Sequence, residues 1–227
     1  MNESFTVTRR TFVSGLLSKC FIGLLVAWLP GCSRPAPIEI AIGFDVTPKG
    51  VARRIKIASP LANFVKKGDV FKLYVTDHKT SLISTIRPAS TKDASNLLTA
   101  TSEKMLAKTD LALYFETMAA EAERDSLPLV IVLYTDGLDD NSKPDVAAAR
   151  IEAAARRLSS CPRLRALIVA GTVRDIRSGW TELPDMLSPL GSKLSVLPMA
   201  TLKPDEVTRL VKEARGQAAS AAQEGSK

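Results

Sequence analysis

The sequence predicts an α/β domain built on a doubly wound, mostly parallel sheet of six strands, with one antiparallel strand at an edge. Three observations predict it. Short apolar runs alternate with helical stretches along most of the chain, the pattern of strands joined by crossover helices. The runs IEIAIGFDV (from residue 38) and LPLVIVLYTDG (from residue 127) are apolar on both faces, as strands covered by helices on either side must be. The link HKT, 78–80, is too short for a parallel crossover, so the strands flanking it form a hairpin. The chain has 227 residues, 45% of them hydrophobic, enough for one such domain with a sizeable core.

The first 31 residues stand apart as an export signal. A basic start leads to an apolar stretch, residues 20–29, and a small residue precedes Cys32. That stretch is about half the ~20 residues a membrane-spanning helix needs. Leu29-Pro30-Gly31-Cys32 resembles a bacterial lipobox, which implies that Cys32 is lipidated and becomes the new N-terminus. Thr8-Arg9-Arg10-Thr11-Phe12-Val13 resembles a twin-arginine export motif, and an ordinary secretory signal with two arginines is the alternative. Ser33 rather than Asp after the cysteine favours sorting to the outer membrane. Residues 32–37 then form a Pro-containing tether spanning at most about 20 Å at about 3.3–3.6 Å per residue.

The domain proper is expected over 38–215. IEIAIGFDV is the first, central strand. KGVARRIKIASPLANFVKKG is helical but broken near Pro60, where Ser59 can cap a second segment. DVFKLYVTD and SLISTIRPA are the hairpin strands. KDASNLLTATSEKMLA and DLALYFETMAAEAERDS are helices separated by Lys108-Thr109. LPLVIVLYTDG is the most apolar strand, and DVAAARIEAAARRLSS an Ala-rich amphipathic helix. RLRALIVAGTV is a strand, TELPDMLSPLG a short helix, KLSVLPM the last strand and PDEVTRLVKEARGQ the last helix. Residues 216–227 read as a polar, disordered tail.

Right-handed crossovers place the loops after the parallel strands on one rim. Following the chain up and down the sheet brings Asp45, Thr47, Thr109 and Asp136 to that upper rim from three loops far apart in sequence. At these residues the chain resembles the von Willebrand factor type A domain, from residue 38 to about 215. That family binds a divalent cation through Asp-x-Ser-x-Ser after the first strand, a threonine of a Thr-Asp-Leu-like loop, and the aspartate of a Thr-Asp-Gly after the central strand. The matching residues are Asp45, Thr47, Thr109 (in TDLAL) and Asp136 (in TDG). The resemblance implies a non-catalytic binding module whose metal is completed by an acidic group of the partner. Hard oxygen donors of this kind suit Mg²⁺ or Mn²⁺.

Lys49 departs from the pattern, standing where the second serine would be. It offers three donors and no ligand oxygen. Either it swings out to solvent and leaves a weakened metal site, or its ammonium sits between Asp45 and Asp136 and no metal binds. Weak binding of Mg²⁺ or Mn²⁺ and no cofactor at all are both open.

Rival classes are weaker. A strand ending in a lone aspartate also resembles the haloacid dehalogenase-like phosphatases, but these need a second aspartate where Thr47 stands. A structural lipoprotein with an unused rim is the other alternative. No phosphate-binding Gly-rich motif, zinc spacing or G-x-S-x-G is present. The one histidine, His78, is a solvated turn residue, and Cys161 a half-buried structural thiol with no disulfide partner left in the exported chain. No small-molecule substrate is indicated. The net charge of +7 includes three basic and one acidic residue in the first 31, leaving +5, and aromatics are only 5%. With no stacking array between the basic residues, nucleic acid is not a partner.

Charge also orients the domain. Lys66, Lys67, Arg156, Arg157, Arg163 and Arg165 fall at the lower rim, while Asp45, Asp110, Asp136, Asp139 and Asp140 fall at the upper. Helix dipoles gather basic residues at helix C-termini, yet Arg163 and Arg165 open a strand. The tether enters the first strand from below. The expected arrangement is an exported, periplasm-facing lipoprotein, its basic face on anionic headgroups and its acidic rim presented to an envelope protein or complex.

Overall fold

In the computed structural model, residues 36–45, 58–76, 80–87, 91–100, 109–137, 143–172 and 182–224 are described. Six strands form one sheet: β1 Glu39–Asp45, β2 Val70–Thr76, β3 Ser81–Ile86, β4 Leu129–Tyr134, β5 Leu164–Thr172 and β6 Leu194–Pro198. Their order is β3-β2-β1-β4-β5-β6. Only the β2–β3 pair is antiparallel, so the short link does make a hairpin, and the hairpin lies at the edge. Among the described residues five helices accompany the sheet: α1 Thr91–Ala100, α2 Leu111–Arg124, α3 Pro144–Ser160, α4 Leu183–Met186 and α5 Pro204–Glu224. A 3₁₀ turn at Ser59–Phe64 and another at Ser188–Lys193 complete the described elements.

Every residue of β1, β2 and β4 is buried, the expected state of central strands with helices on both faces. On one face Ala41, Tyr74, Ile131, Leu133 and Leu167 pack under α2 and α3. On the other, Ile40, Ile42, Phe44, Phe71, Val132 and Ile168 pack against the Ser59–Phe64 turn and α5. Alternation along β1 therefore assigns Ile40, Ile42 and Phe44 to one layer, and Glu39, Ala41, Gly43 and Asp45 to the other.

Helices α2 and α3 run side by side in register. Arg150 makes a two-pronged contact with Glu116 (2.8 and 2.6 Å), and Arg157 with Glu123 (2.9 to 3.1 Å). Both pairs span the same 34 residues, as two parallel helices with equal rise require. Beneath α2, an added Cβ on Gly43 would meet the Tyr114 ring at 2.6 Å. Glycine at this position is what lets the helix lie so close.

Three expectations change. Helix α5 continues to Glu224, so most of the stretch read as a disordered tail is helix. Its Ala-rich composition propagates the helix past Gly216, and Ala218 packs in the core. The segment at Pro60 begins one residue earlier than expected. The cap position is Ala58, without a side-chain hydrogen bond, and Ser59 and Pro60 are the first residues of a single 3₁₀ turn. Arg163 is not on the surface, as described below.

Candidate functional site: the upper rim of the sheet

Strand β1 delivers Asp45 to the upper rim as its last residue, beside Thr76 of β2. Asp45 is fully buried. Its two carboxylate oxygens are held by hydroxyls from two other loops. Thr109 Oγ1 donates to Asp45 Oδ1, and Thr135 Oγ1 donates to Asp45 Oδ2 at 2.8 Å. Thr135 in turn accepts from the backbone N–H of Gly137 at 2.9 Å. Gly137 has φ 88°, a conformation glycine supplies without strain, and it turns the chain sharply after β4.

The convergence expected from topology is thus present for Asp45 and Thr109, and Asp136 follows Thr135 directly in the same loop, half-buried. Asp110 does a different job: it caps α2, accepting from Leu113 N–H at 2.8 Å. That cap fixes the start of α2 and with it the position of Thr109. Thr135 is the residue that sequence reasoning missed. The signal was available, since a hydroxyl residue directly before Asp136 ends a strand parallel to β1. Thr47, Lys49, Asp139 and Asp140 lie outside the described residues, as do His78 and Cys32.

The donor chemistry fits a hard divalent cation. The Thr109 hydroxyl gives its one proton to Asp45, and a hydroxyl oxygen is a ligand type that hard divalent cations accept. Among the described residues no three His, Cys, Asp or Glu side chains gather as a metal-binding group. Among the described residues, cation binding at this rim would draw on Asp45, Asp136 and hydroxyl oxygens.

The lower end of the same strand carries a second buried carboxylate, which the sequence reading passed over. Glu39 is fully buried, and Arg163 is only 7% exposed. Arg163 Nη2 donates to Glu39 Oε2 at 3.0 Å, Nε to Leu127 O at 2.7 Å, and Nη1 to Glu121 O at 2.9 Å. Its guanidinium faces inward, so it is removed from the membrane-facing set. Lys72 Nζ lies 3.2 Å from Glu39 Oε1 and also bonds Glu121. Burial, the dominant influence, pushes the Glu39 carboxyl above its ordinary value, and Arg163 and Lys72 offset it only in part. Burial acts on Lys72 in the opposite sense, but the Glu121 bond and the Glu39 charge outweigh it and hold the ammonium above its usual range. A second buried pair joins α5 to the chain before β2: Arg215 Nη2 meets Asp69 Oδ2 at 2.6 Å, and Asp69 also accepts from Ile38 N–H and Lys66 N–H.

The other lower-rim residues divide. Lys66, Lys67 and Arg156 are exposed, and Arg156 pairs with Glu152 one turn away. Arg157 is engaged by Glu123, and Arg165 is half-buried. Cys161 is buried, as a structural thiol should be, with its S–H directed at Ala122 O at 3.2 Å. Among the described residues no helix is long and apolar enough to cross a membrane.

No protein-family model matches the sequence, and no curated protein matches it. Solved structures do match the fold. A von Willebrand factor type A protein from Catenulispora acidiphila superposes with TM-score 0.51 at 13% identity, over 81% of this chain and 42% of its own. An aerotolerance-related membrane protein from Bacteroides fragilis, in a form with multiple mutations to serine, gives 0.56 at 13% identity, over 79% of this chain and 99% of its own. The conserved hypothetical protein BatB from Bacteroides thetaiotaomicron gives 0.52 at 12%, over 78% and 98%. At these identities the likeness is one of fold, and this chain spans less than half of the Catenulispora protein.

Proposed function

We propose that this chain, which has the von Willebrand factor type A fold, is an exported, lipid-anchored binding module without catalytic activity, and that its upper rim docks an envelope protein or complex. The observation that carries the reading is the state of Asp45. It is fully buried with each carboxylate oxygen held by a threonine hydroxyl from a different loop. A nucleophilic aspartate must meet its substrate directly, and here Thr109 and Thr135 stand in the way. A positioning acid needs this fixity. Asp45, Thr109 and Asp136 would hold a divalent cation, which when bound would offer an open position to a carboxylate of the partner. Thr47 belongs to the same proposed set, and Lys49 in place of a ligand oxygen makes the site a degenerate one.

The test uses the full chain in mild detergent. Calorimetry with Mg²⁺ and Mn²⁺ is expected to show weak or no binding by the native chain, a clear gain in Lys49→Ser, and loss of that gain when Asp45→Ala is added. Affinity capture from solubilised envelopes, with and without divalent cation, should lose its partner in Asp45→Ala. Phosphatase turnover abolished by Asp45→Asn would replace this reading with the hydrolase one.

The anchor is proposed at Cys32, with outer-membrane sorting from Ser33. Cells carrying Cys32→Ser are expected to release the protein from the membrane fraction. Unchanged cleavage and membrane retention would remove the lipoprotein assignment while leaving the rim untouched.

A further inference from the structure

At the lower part of the β5–β6 end of the sheet, a small cleft opens against α5. Arg165, Ser192, Lys193, Ser195, Glu213 and Gln217 line its polar side. Arg165 reaches it from a slip in register between β4 and β5, where Leu129 faces Leu164 but Val130 faces Ala166. Arg165 is thus the extra residue of a bulge, a device that re-aims a side chain. Its Nε is buried and has no hydrogen-bond partner, a state native structures seldom leave uncompensated.

The surroundings supply further donors. Ser192 and Ser195 offer hydroxyls, and Gln217 an amide. Lys193 Nζ donates to Ser159 O at 2.9 Å and to Cys161 O at 3.1 Å, so its ammonium secures the end of α3. The one carboxylate lining it, Glu213, is already held by Arg209 at 2.6 Å. One guanidinium and several donors therefore line a space whose one carboxylate is already paired.

We infer that this cleft is an oxyanion site for a phosphate group, with Arg165 as its principal ligand and Ser195 and Gln217 as supporting donors. The space measures about 80 Å³. At roughly 30 Å³ per water that is room for two or three water-sized groups, far below the roughly 300–1,000 Å³ of a small-molecule pocket. A phosphate head fits, and the remainder of an ester carrying it would lie outside the cleft. Arginine rather than lysine is the suited residue, because its planar fork meets two phosphate oxygens together. The phosphate has two sources: a soluble phosphate ester, or the headgroup of an anionic phospholipid. The second source rests on the proposed membrane anchoring; the first does not.

The experiment follows the Arg165 Nε–H resonance of ¹⁵N-labelled full chain in a non-ionic maltoside detergent. Inorganic phosphate is titrated against chloride at equal ionic strength. In parallel, flotation measures binding to phosphatidylglycerol–phosphatidylethanolamine vesicles. The Nε–H signal is expected to move and saturate with phosphate and not with chloride. Arg165→Lys, which keeps the charge and leaves the remaining spectrum in place, should weaken phosphate binding about tenfold or more. Vesicle binding that falls in Arg165→Lys assigns the headgroup as ligand; a response confined to free phosphate assigns a soluble ester. An immobile Nε–H in phosphate together with vesicle binding indifferent to Arg165→Lys overturns the inference. Equal phosphate affinity of Arg165→Lys and the native chain also overturns it, and neither of these results touches the proposed upper-rim function.

Discussion

Strand β1 ends in one buried carboxylate and begins with another, both on the face covered by α2. Their described partners differ in kind. Asp45 is held by two hydroxyls, whereas Glu39 is held by the cations of Arg163 and Lys72. Hydroxyls orient a carboxylate without cancelling its charge. Ammonium and guanidinium groups offset that charge, and here they tie β1, β2, the turn before β5 and α2 together. The upper end is the one to which the proposed binding role falls, and the lower end holds the fold.

That contrast breaks most sharply at Arg163. Replacing it with Met leaves Glu39 buried beside Lys72 alone and frees the carbonyls of Leu127 and Glu121. We expect a loss of about 3–5 kcal/mol in denaturant unfolding, with much of it recovered by adding Glu39→Gln. A loss below 1 kcal/mol would show that the lower cluster is not what secures the strand.

The hydroxyl end should be less costly and more selective. Thr109→Val and Thr135→Val each remove one hydrogen bond to Asp45 at nearly constant shape, and each should cost about 1–3 kcal/mol. Thr135→Val also strands the Gly137 N–H. The two should separate in calorimetry on the Lys49→Ser background: Thr109→Val removes a proposed cation ligand and should abolish binding, and Thr135→Val should only weaken it.

The pH dependence of Glu39 gives a smaller effect with a definite sign. Its folded-state value is raised from 4.5, so between that value and the raised one the folded chain binds more protons than the unfolded. Stability from this group then falls as pH rises through the window and levels off above it. The stability gap between native chain and Glu39→Gln should therefore narrow as pH rises. Other carboxylates act in the opposite sense, among them Glu116, whose bond to Arg150 lowers its value. The comparison with Glu39→Gln isolates the one group. A widening gap would mean that the cations outweigh burial at Glu39.

The smallest change is expected at Arg156. Its pair with Glu152 lies on the surface of α3, and Arg156→Gln should move stability by no more than about 0.5 kcal/mol. It should weaken attachment to anionic vesicles only if the exposed lower face touches them.

Periodicity carried the architecture. The six apolar runs became the six strands, and the short HKT link placed the antiparallel pair, because strand patterns and link lengths are local facts. The rim was legible through topology: knowing which way each strand runs brings Asp45 and Thr109 together across 64 residues. The lower cluster was not. Glu39 and Arg163 are 124 residues apart, and Asp69 and Arg215 are 146 apart. A lone charge in a strand reads as a solvent-facing residue until its partner is placed. One clue existed, since Glu39, Lys72 and Arg163 all sit at or near the beginnings of strands that the apolar pattern makes central. The length of α5 was missed because a polar, Ala-rich end reads alike as helix or as tail until Ala218 is seen in the core.

The position of β1 has a mechanical consequence. Its residues are paired with β2 on one side, from Glu39 to Asp45, and with β4 on the other, from Glu39 to Phe44, and both neighbours run parallel to it. A pull on the chain before Ala36, resisted by a load held at the Asp45 rim, acts along the strand. It must shear both ladders at once instead of unzipping one bond after another. The first groups to bear the tension are Ile38 N–H on Asp69 and Glu39 on Arg163, so the ionic groups at the foot of the sheet stand where force would enter the domain.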